Sequence, residues 1–505
     1  MSLVLGADIG SQSIKVVLVD EDGDVAGSGS AALTMVHERD GWAEQDPRTY
    51  CTALRDAVRA ATAGIDASRI VAMGLGSQVD GVVACDAEGE PLRPAIIWLD
   101  KRATDQCERL VAAVGEDALA ERTGLVADAS HSAPKMMWIR ECEPGVRRRA
   151  AMFAPVGSYL LHHLTGSHAQ DPANASSTMV YDVIRGDFDA ALCAAADLDP
   201  AMLAPVRPST DVVGTLRPTV AAEFGLPREC RVVVGTGDEH AASVGAGAIE
   251  AGVVVDVTGT AEPVTTVSAA PVRDPCCLVE THGHAVPGSW LIENPGFVSG
   301  GSTLWLAGVL GVAQAEIFPL AHAAPPGSDG VLFLPALSGA TAPRWNDRMR
   351  GGLLGLAMNH TSAHLARAVL EGCAYALRDI VERLEALGLG QGEIRIVGGG
   401  ARDDLWATIK ADVLGRPVRR VLTKEATAVG AAMVAGVGAG FFADFRAASV
   451  AVRLNPATIE PGPAADREYA DAYGRYRATF DAVESALAPA EPTPSTHRVL
   501  SGRHA

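Results

Sequence analysis

Two segments of the chain repeat the same order of apolar strand, aspartate, glycine-containing turn and second apolar strand. The first reads LVLGADIGSQSIKVVLVD (residues 3–20), and the second reads GVVVDVTGTAEPVTTVS (residues 252–268). They lie too far apart for a short-period repeat, so the pattern indicates two duplicated halves. The sequence therefore predicts an α/β protein of two related domains, because 505 residues exceed what one hydrophobic core supports.

The boundary between the two halves is predicted near Ile249. Residues 1–249 then form an N-terminal domain, and residues 250–487 form a C-terminal domain. The remaining segment, residues 488–505, reads APAEPTPSTHRVLSGRHA. It is rich in proline and polar residues, which predicts a disordered tail.

Two helices are predicted with clear signals. One begins after Asp46, a favourable N-cap, and carries Tyr50, Leu54 and Val58 on one face. The other is the long amphipathic segment SAHLARAVLEGCAYALRDIVERLEALG, residues 362–388. These segments flank the strands and predict a layered α/β arrangement.

Charge and cysteine usage narrow the class of protein. The formal net charge of −19 argues against a nucleic-acid partner, and any nucleotide must be held by backbone N–H groups, local dipoles or a metal. The nine cysteines form no C-x-x-C pair, which is typical of a reducing compartment. Because no signal peptide or membrane-spanning segment is visible, a cytoplasmic protein without a membrane partner is expected.

The first glycine turn, DIGSQSIK, combines groups that suit a phosphate and a metal. A strand delivers Asp8, which suits a hydrated Mg²⁺, into a turn where glycine permits close backbone approach. The candidate nucleotide-binding residues here are Gly10, Ser11, Gln12, Ser13 and Lys15. An ordinary hairpin with a polar turn is the alternative interpretation.

Two further glycine turns lie in the second half. In DVTGTAE, Gly259 and Thr260 would close on the phosphates from the opposite side, although a plain hairpin would have the same pattern. In IVGGGARDD, three glycines leave a flat backbone surface for an adenine ring and ribose, where a tight strand-to-helix connection needs only one. The candidate nucleotide-binding residues of this third turn are Gly398, Gly399, Gly400, Ala401 and Asp404.

The segment GTGDEHAASVGAG carries the candidate catalytic base. Asp238 follows a strand and begins a helix of small residues, whose positive N-terminal dipole favours an ionised carboxylate. Such a carboxylate can accept the proton of a substrate hydroxyl as that oxygen attacks phosphorus. Asp238 is also a candidate metal ligand beside Asp8, and simple helix capping is the alternative role.

A third group of residues suits a polyhydroxylated ligand, because it mixes hydrogen-bonding groups with one flat apolar ring. Its members, near predicted strand ends of the first half, are Gln78, Asp80, Trp98, Asp100 and Arg102. Taken individually, each residue fits a structural role better, Trp98 especially. His282 and His284 alternate on a strand without an evident third ligand, which disfavours zinc, and His240 is expected to turn away from Asp238.

The motifs together resemble those of the FGGY carbohydrate kinases, and within them the xylulokinase-like members. The resemblance runs from about Leu3 to Leu487. The matching segments are GADIGSQSIKVVLVD, GWAEQDP, LRPAIIWLDKR, APKMMWIR, VVVGTGDEHAASVGAG, FLPALSGATAPRWND, RAVLEGCAYALRD and GGGARDDLWATIKADVLG. Their order is far more specific than any one of them.

The resemblance implies two actin-like, ribonuclease H-like ATPase domains with a central cleft where ATP and a sugar meet. It implies transfer of the γ-phosphoryl group of ATP to a sugar hydroxyl with Mg²⁺, most simply to a pentulose such as D-xylulose. Asp238 falls at the family's catalytic base, and Asp8 at its metal-associated aspartate. The substrate-binding residues implied are Gln78, Val79, Asp80, Trp98, Asp238 and Glu239. A homodimer is a family-level expectation.

The chain departs from the xylulokinase pattern at the sugar side. Xylulokinases usually read Gln-Met-His-Gly at residues 78–81, where this chain has Asp80 in place of the histidine. They usually have Asn after the catalytic aspartate, where this chain has Glu239, and Ser where it has Ala261. The two acids favour neutral, hydroxyl-rich substrates over aldonates such as gluconate.

Other functions stay open at this point. Another ketose or a polyol such as erythritol or glycerol is the main alternative acceptor. A nucleotide-gated, actin-like interaction protein is the alternative from a different class, and an inactive sugar-sensing relative is a third. The intact Asp8 and Asp238 argue against the inactive relative.

Overall fold

The computed structural model describes residues 1–276, 278–340, 344–346, 348–463 and 468–487, so the predicted tail at residues 488–505 lies outside the described residues. The strands are β1 (Leu3–Ile9), β2 (Ser13–Val19), β3 (Val25–Ala32), β4 (Glu44–Gln45), β5 (Ile70–Ser77), β6 (Val83–Cys85), β7 (Ala95–Ile96), β8 (Met152–Ala154), β9 (Tyr181–Asp182), β10 (Asp187–Phe188), β11 (Val212–Thr215), β12 (Arg231–Val233), β13 (Thr236–Gly237), β14 (Val254–Val257), β15 (Val264–Ser268), β16 (Glu280–Gly283), β17 (Trp290–Asn294), β18 (Leu332–Leu334), β19 (Gly352–Leu354), β20 (Ile394–Val397) and β21 (Val418–Arg420).

The α-helices surround two main sheets. They are α1 (Pro47–Ala61), α2 (Thr104–Val114), α3 (Glu116–Thr123), α4 (Ser132–Cys142), α5 (Pro144–Arg149), α6 (Val156–Thr165), α7 (Pro172–Ser176), α8 (Ala190–Ala195), α9 (Pro218–Phe224), α10 (Asp238–Gly245), α11 (Gly300–Leu310), α12 (Ile317–His322), α13 (Ser362–Ala386), α14 (Asp404–Leu414), α15 (Ala426–Gly438), α16 (Phe445–Ala448) and α17 (Ala470–Leu487).

The two main sheets share one topology. The first has the order β11-β12-β5-β1-β2-β3, with β13 also beside β5, and the second has the order β16-β17-β15-β14-β20-β21. In the first, β3, β2 and β1 are antiparallel neighbours, and β5 and β12 run parallel to β1. In the second, β17, β15 and β14 are antiparallel, and β20 and β21 run parallel to β14. This repetition confirms the predicted α/β fold of two ribonuclease H-like domains.

The central strand β1 explains why its sequence is apolar on both faces. It lies between β2 and β5, and α15 packs on the sheet, so every residue of β1 except Asp8 is buried. Strands covered on both faces read as continuous hydrophobic runs. A Cβ at Gly6 would lie 1.9 Å from the carbonyl oxygen of Ala428 in α15, so this close approach requires glycine.

Helices α10 and α15 cross closely between the two sheets. A Cβ at Gly430 would lie 1.8 Å from the Ala241 oxygen, and one at Gly245 would lie 1.9 Å from the Ala426 oxygen. The crossing therefore depends on glycine in both helices, and it places the C-terminal end of α10 beside the N-terminal end of α15. Asp238 lies at the opposite, N-terminal end of α10.

The helices with clear sequence signals form as predicted. Asp46 caps α1, with its Oδ1 accepting from the Arg48 N–H at 3.0 Å, and the long amphipathic segment is α13.

Among the described residues, no single helix combines the length and the apolar character that crossing a bilayer needs. Two consecutive helical segments, Gly300–Leu310 and Gln314–His322, meet those criteria only when their lengths are added, and the chain bends by 99° between them.

Candidate active site

The first glycine turn and the predicted base meet at one edge of the first sheet. Asp8 in β1 is level with Gly76 in β5, and Gly76 is in turn level with Thr236 in β13. Because these three strands are parallel, their carboxyl ends share this edge. The structure therefore brings together the Asp8 turn, Gln78 and Asp238.

Asp8 and Asp238 are half-buried carboxylates that influence each other. Burial raises the pKa of Asp8 to about 7, against the lowering effect of the Lys15 charge. Burial, followed by the charges of Glu239 and Asp8, holds the pKa of Asp238 well above its usual range. The ionising effect expected from the helix N-terminus is therefore outweighed, because desolvation and two neighbouring acids disfavour another negative charge.

The pair fits a magnesium ion. Mg²⁺ takes one or two protein carboxylates and fills its other positions with water and phosphate oxygens. Among the described residues no group of three or more His, Cys, Asp or Glu side chains could hold a metal on its own. Asp8 and Asp238 would supply the two carboxylates, and the positive charge would favour their ionised forms against the effect of burial.

Lys15 of the first turn is held by a residue from the second half of the chain. Its Nζ lies 2.7 Å from Oε2 of Glu425, which precedes α15 and has a φ of 52°. Around it, Ser11 and Ser13 are half-buried and Gln12 is exposed. The structure therefore places a lysine at the first glycine turn and pairs its charge with Glu425 from the second half of the chain.

The two glycine turns of the second half also meet. Strands β14 and β20 are parallel and end together, so the Thr258 turn faces the triple-glycine turn. The Gly400 N–H donates to the Thr258 oxygen at 3.2 Å, and the Gly300 N–H of α11 donates to the Gly259 oxygen at 3.0 Å. Gly398 has a φ of 103°, and a Cβ there would lie 2.6 Å from the Thr258 oxygen.

The remaining predicted nucleotide residues line the same edge. Thr260 and Gly399 are exposed and Ala401 is buried. Asp404 begins α14, is exposed, and pairs with Arg420 at 3.0 Å. The structure therefore places both predicted glycine turns together, with Asp404 at the rim.

A buried lysine supports this edge and was missed by the sequence analysis. Nζ of Lys410 in α14 lies 2.5 Å from Asp256 Oδ2 and 3.0 Å from Glu262 Oε1, and it donates to Thr258 Oγ1 at 2.6 Å. Burial, followed by the Asp256 charge, raises the pKa of Glu262 to about 8. The signal for it in the sequence is a lysine within the largely apolar segment DLWATIKADVLG, because a buried lysine needs a carboxylate partner.

The predicted sugar-side residues fall into two groups. Gln78 is buried and donates to Gln45 Oε1 at 3.1 Å, whereas Val79 is half-buried and Trp98 is 44% exposed. Asp100 and Arg102 form a buried pair at 2.7 Å. Their polar atoms also have protein partners beyond the pair, since Asp100 accepts from the Ala43 N–H and Arg102 contacts Glu44, which indicates a structural role.

Asp80 occupies an unusual backbone position. Its φ is 62°, in the left-handed region, and its Oδ1 lies 3.1 Å from Nδ1 of His131. Its carbonyl oxygen accepts from the buried Lys135 at 2.9 Å. Burial lowers the pKa of His131, but the Asp80 and Glu280 carboxylates outweigh burial and raise this pKa well above its usual value.

The histidines set aside in the sequence lie together. The ring of His240 lies 5.6 Å from that of His282 and 6.1 Å from that of His284, all three buried. Burial, with the neighbouring imidazoles, holds the pKa of His240 well below its usual value, and burial lowers the pKa of His284 to about 4. His240 thus turns away from Asp238 as predicted and packs against β16.

Family models match both halves of the chain. The N-terminal domain of the FGGY family of carbohydrate kinases matches residues 3–245, and the C-terminal domain of the same family matches residues 254–439.

Individual relatives match this chain over most of its length. A glycerol kinase from Aromatoleum aromaticum is 35% identical over 491 residues, which cover 94% of this chain and 98% of that protein. A glycerol kinase from Thermococcus kodakarensis is 33% identical over 88% of this chain and 90% of its own. The solved xylulose kinase from Rhodospirillum rubrum superposes with a TM-score of 0.90 at 30% identity, covering 96% of this chain and 99% of that one.

Proposed function

Because the chain belongs to the FGGY family of carbohydrate kinases, which transfer a phosphoryl group from ATP with Mg²⁺, we propose that it phosphorylates a hydroxyl of a small neutral polyol or ketose. The observation that carries the proposal is the shared edge where Asp8 and Asp238 lie beside the first glycine turn. Phosphoryl transfer needs alignment and charge neutralisation at one point between nucleotide and acceptor.

Glycerol is the first candidate acceptor. The relatives above 30% identity that cover most of the chain include glycerol kinases from several organisms, which favours a short polyol. D-xylulose, the acceptor suggested by the motifs, is the second candidate, and the 30% identity to the xylulose kinase from Rhodospirillum rubrum supports it. The two differ in chain length and in the carbonyl group, so a substrate panel separates them.

The proposed reaction assigns a role to each of these residues, and two roles to Asp238. Asp238 accepts the proton of the attacking hydroxyl, while Asp8 and Asp238 hold Mg²⁺, which neutralises phosphate charge when bound. Lys15 and the N–H groups of the turns at Gly10 and Gly259 donate to phosphate oxygens. Trp98 and Asp80 contact the acceptor, and the triple-glycine turn supports adenosine.

The test is ADP release measured with glycerol, erythritol, D-xylulose and D-ribulose, each with ATP and Mg²⁺. The Asp238→Asn variant is expected to lose about 10²- to 10⁴-fold in kcat while still binding nucleotide, because it cannot accept a proton. Asp56→Asn, at an exposed carboxylate of α1, is the matched control. The proposal is wrong if no acceptor raises ADP release above the ATPase background, and an acceptor-independent ATPase would instead favour an actin-like interaction protein.

A further inference from the structure

Lys15 lies between two carboxylates, one from each half of the chain. In the antiparallel pair of β1 and β2 it is directly opposite Asp8, so both side chains are on the same face of the sheet. Its Nζ nevertheless lies 2.7 Å from Oε2 of Glu425, and within the described part of the chain Asp8 forms no ion pair. The lysine therefore turns away from its neighbour in the sheet and towards an acid from the other half of the chain.

Asp8 is within reach of the same ammonium group. Residues directly opposite each other in an antiparallel pair have Cβ atoms about 4.5–5.5 Å apart, a distance that the flexible four-carbon stem of lysine can span. An ammonium group beside a carboxylate opposes the binding of a metal ion there, because the two positive charges repel. Without a competing partner, Lys15 is expected to pair with Asp8 and to weaken Mg²⁺ binding at that carboxylate.

The packing of α15 fixes Glu425 at the Asp8 edge of the first sheet. A Cβ at Gly76, which is level with Asp8, would lie 3.2 Å from Cγ2 of Thr427 in the first turn of α15. The close crossing at Gly430 holds the same helix against α10. The carboxylate of Glu425 therefore reaches this edge from the start of a tightly packed helix.

The backbone at Glu425 indicates that the ion pair is not incidental. Its φ of 52° is in the left-handed region, which glutamate rarely adopts and which persists only when surrounding contacts hold it. Glu425 also occupies the N-cap position of α15, but its side chain accepts no hydrogen bond from that helix. Acidic side chains near a helix N-terminus ordinarily interact with its free N–H groups, whereas this one is directed to Lys15.

Given the proposed function, on which this inference rests, we propose that Glu425 is a positioning residue that draws the Lys15 ammonium group away from Asp8. The Asp8 carboxylate then stays available to Mg²⁺, and the remaining N–H donors of Lys15 stay available to phosphate oxygens. Metal and phosphate are thereby bound by separate groups of the first glycine turn, because an acid from the second half of the chain keeps those groups apart.

The test is calorimetric titration of the non-hydrolysable ATP analogue AMP-PNP in the absence of acceptor, once with Mg²⁺ and once with EDTA. The dissociation constant without metal, divided by that with metal, measures how much the metal contributes to binding. We expect Glu425→Gln to lower this ratio about three- to fivefold, because Lys15 then pairs with Asp8, and an exposed ion pair is worth up to about that factor.

A second substitution shows whether Glu425 acts through Lys15. Lys15→Met removes the ammonium group that would occupy Asp8, so Glu425→Gln is expected to leave the ratio unchanged in the Lys15→Met background. The matched control is Asp24→Asn. Asp24 pairs with Arg453 at 2.8 Å and also joins the two halves of the chain, but at the opposite end of β2, so this variant should keep the ratio of the parent.

An unchanged ratio in Glu425→Gln, or an equal fall in both backgrounds, would overturn the inference, because Lys15 would then not be involved. A parent protein that binds no AMP-PNP would overturn it as well. If no polyol or ketose is phosphorylated, the proposed function fails, and the titrations still judge Glu425 because they use no acceptor. Phosphorylation of an acceptor together with an unchanged ratio would leave the function standing and remove the positioning role.

Discussion

At the residue scale, Lys410 is the buried cation that pairs with Asp256 and Glu262 beneath the two glycine turns of the second half. Its replacement by Met would leave Asp256 and Glu262 buried without a cation, which typically costs about 3–5 kcal/mol. We therefore expect Lys410→Met to lower the free energy of unfolding by that amount in urea titrations. Lys424→Met, at an exposed lysine nearby, is the matched control.

The partners of Lys410 offer a second measurement. Replacing Asp256 by Asn in the Lys410→Met background removes the carboxylate left without its cation, and Glu262→Gln keeps a neutral side chain beside it, so most of the lost stability should return. Equal unfolding free energies for the parent and Lys410→Met would show that the lysine stabilises nothing.

The buried histidines predict a loss of stability in mild acid. The pKa of His284 is lowered by burial to about 4, whereas an unfolded histidine titrates near pH 6.5. A group whose folded pKa is depressed contributes stability above its unfolded pKa and loses it as pH falls towards the folded value. Between pH 6.5 and 5, this histidine therefore costs up to about 2 kcal/mol.

The measurement is the urea midpoint at pH 7 and pH 5. His284→Gln, which keeps a donor for the Ala248 oxygen, is expected to lose less stability than the parent over this interval. His37→Gln, at an exposed histidine, should follow the parent. The same loss in all three proteins would assign the acid sensitivity to other groups.

Residues with a local signal were easier to predict than residues paired across the fold. Asp8 and Asp238 follow strands beside glycines, and their meeting at one edge follows from parallel strand ends. Lys410 and Glu425 lie in segments without a local motif, and their partners are far away in sequence. Asp100 and Arg102 are residues of ligand-binding type that form an ion pair with each other, which their spacing alone does not reveal.

At the element scale, the crossing of α10 and α15 carries the next prediction. A methyl group at Gly430 has no room beside the Ala241 oxygen, so Gly430→Ala should force the helices apart and cost about 1–3 kcal/mol. Activity should fall with it, because α10 begins with Asp238. Gly474→Ala in α17, where nothing lies within 4 Å of the added Cβ, is the control and is expected to be neutral or stabilising. Thermal unfolding and ADP release measure both effects, and equal behaviour of the two variants would contradict the prediction.

The elements themselves were largely predictable from pattern. The duplicated strand–turn–strand segments became β1–β2 and β14–β15, and the N-cap and apolar periodicity of α1 were sufficient to find it. The seating of the β16–β17 hairpin on the first domain was not predictable, because it depends on contacts such as Gly283 with Pro172 that only the folded chain creates.

At the scale of the whole molecule, the Lys15–Glu425 ion pair joins the two halves of the chain beside the predicted phosphate site. We expect the domains to approach further when nucleotide and acceptor bind together, because water in an open cleft would compete for the phosphoryl group. Small-angle X-ray scattering should show a smaller radius of gyration with an ATP analogue plus glycerol than with either alone. An unchanged radius under all conditions would rule out closure of that size.

The exposed indole of Trp98 has a practical consequence. An indole in contact with water emits at longer wavelength than one covered by ligand or protein, and 44% of this side chain is open to solvent. The chain contains seven tryptophans, so the contribution of Trp98 is identified as the part of the emission change that disappears in Trp98→Phe. Under the proposed function, in which Trp98 contacts the acceptor, this part of the emission is expected to change when acceptor binds, and it is readable without label or coupled enzyme.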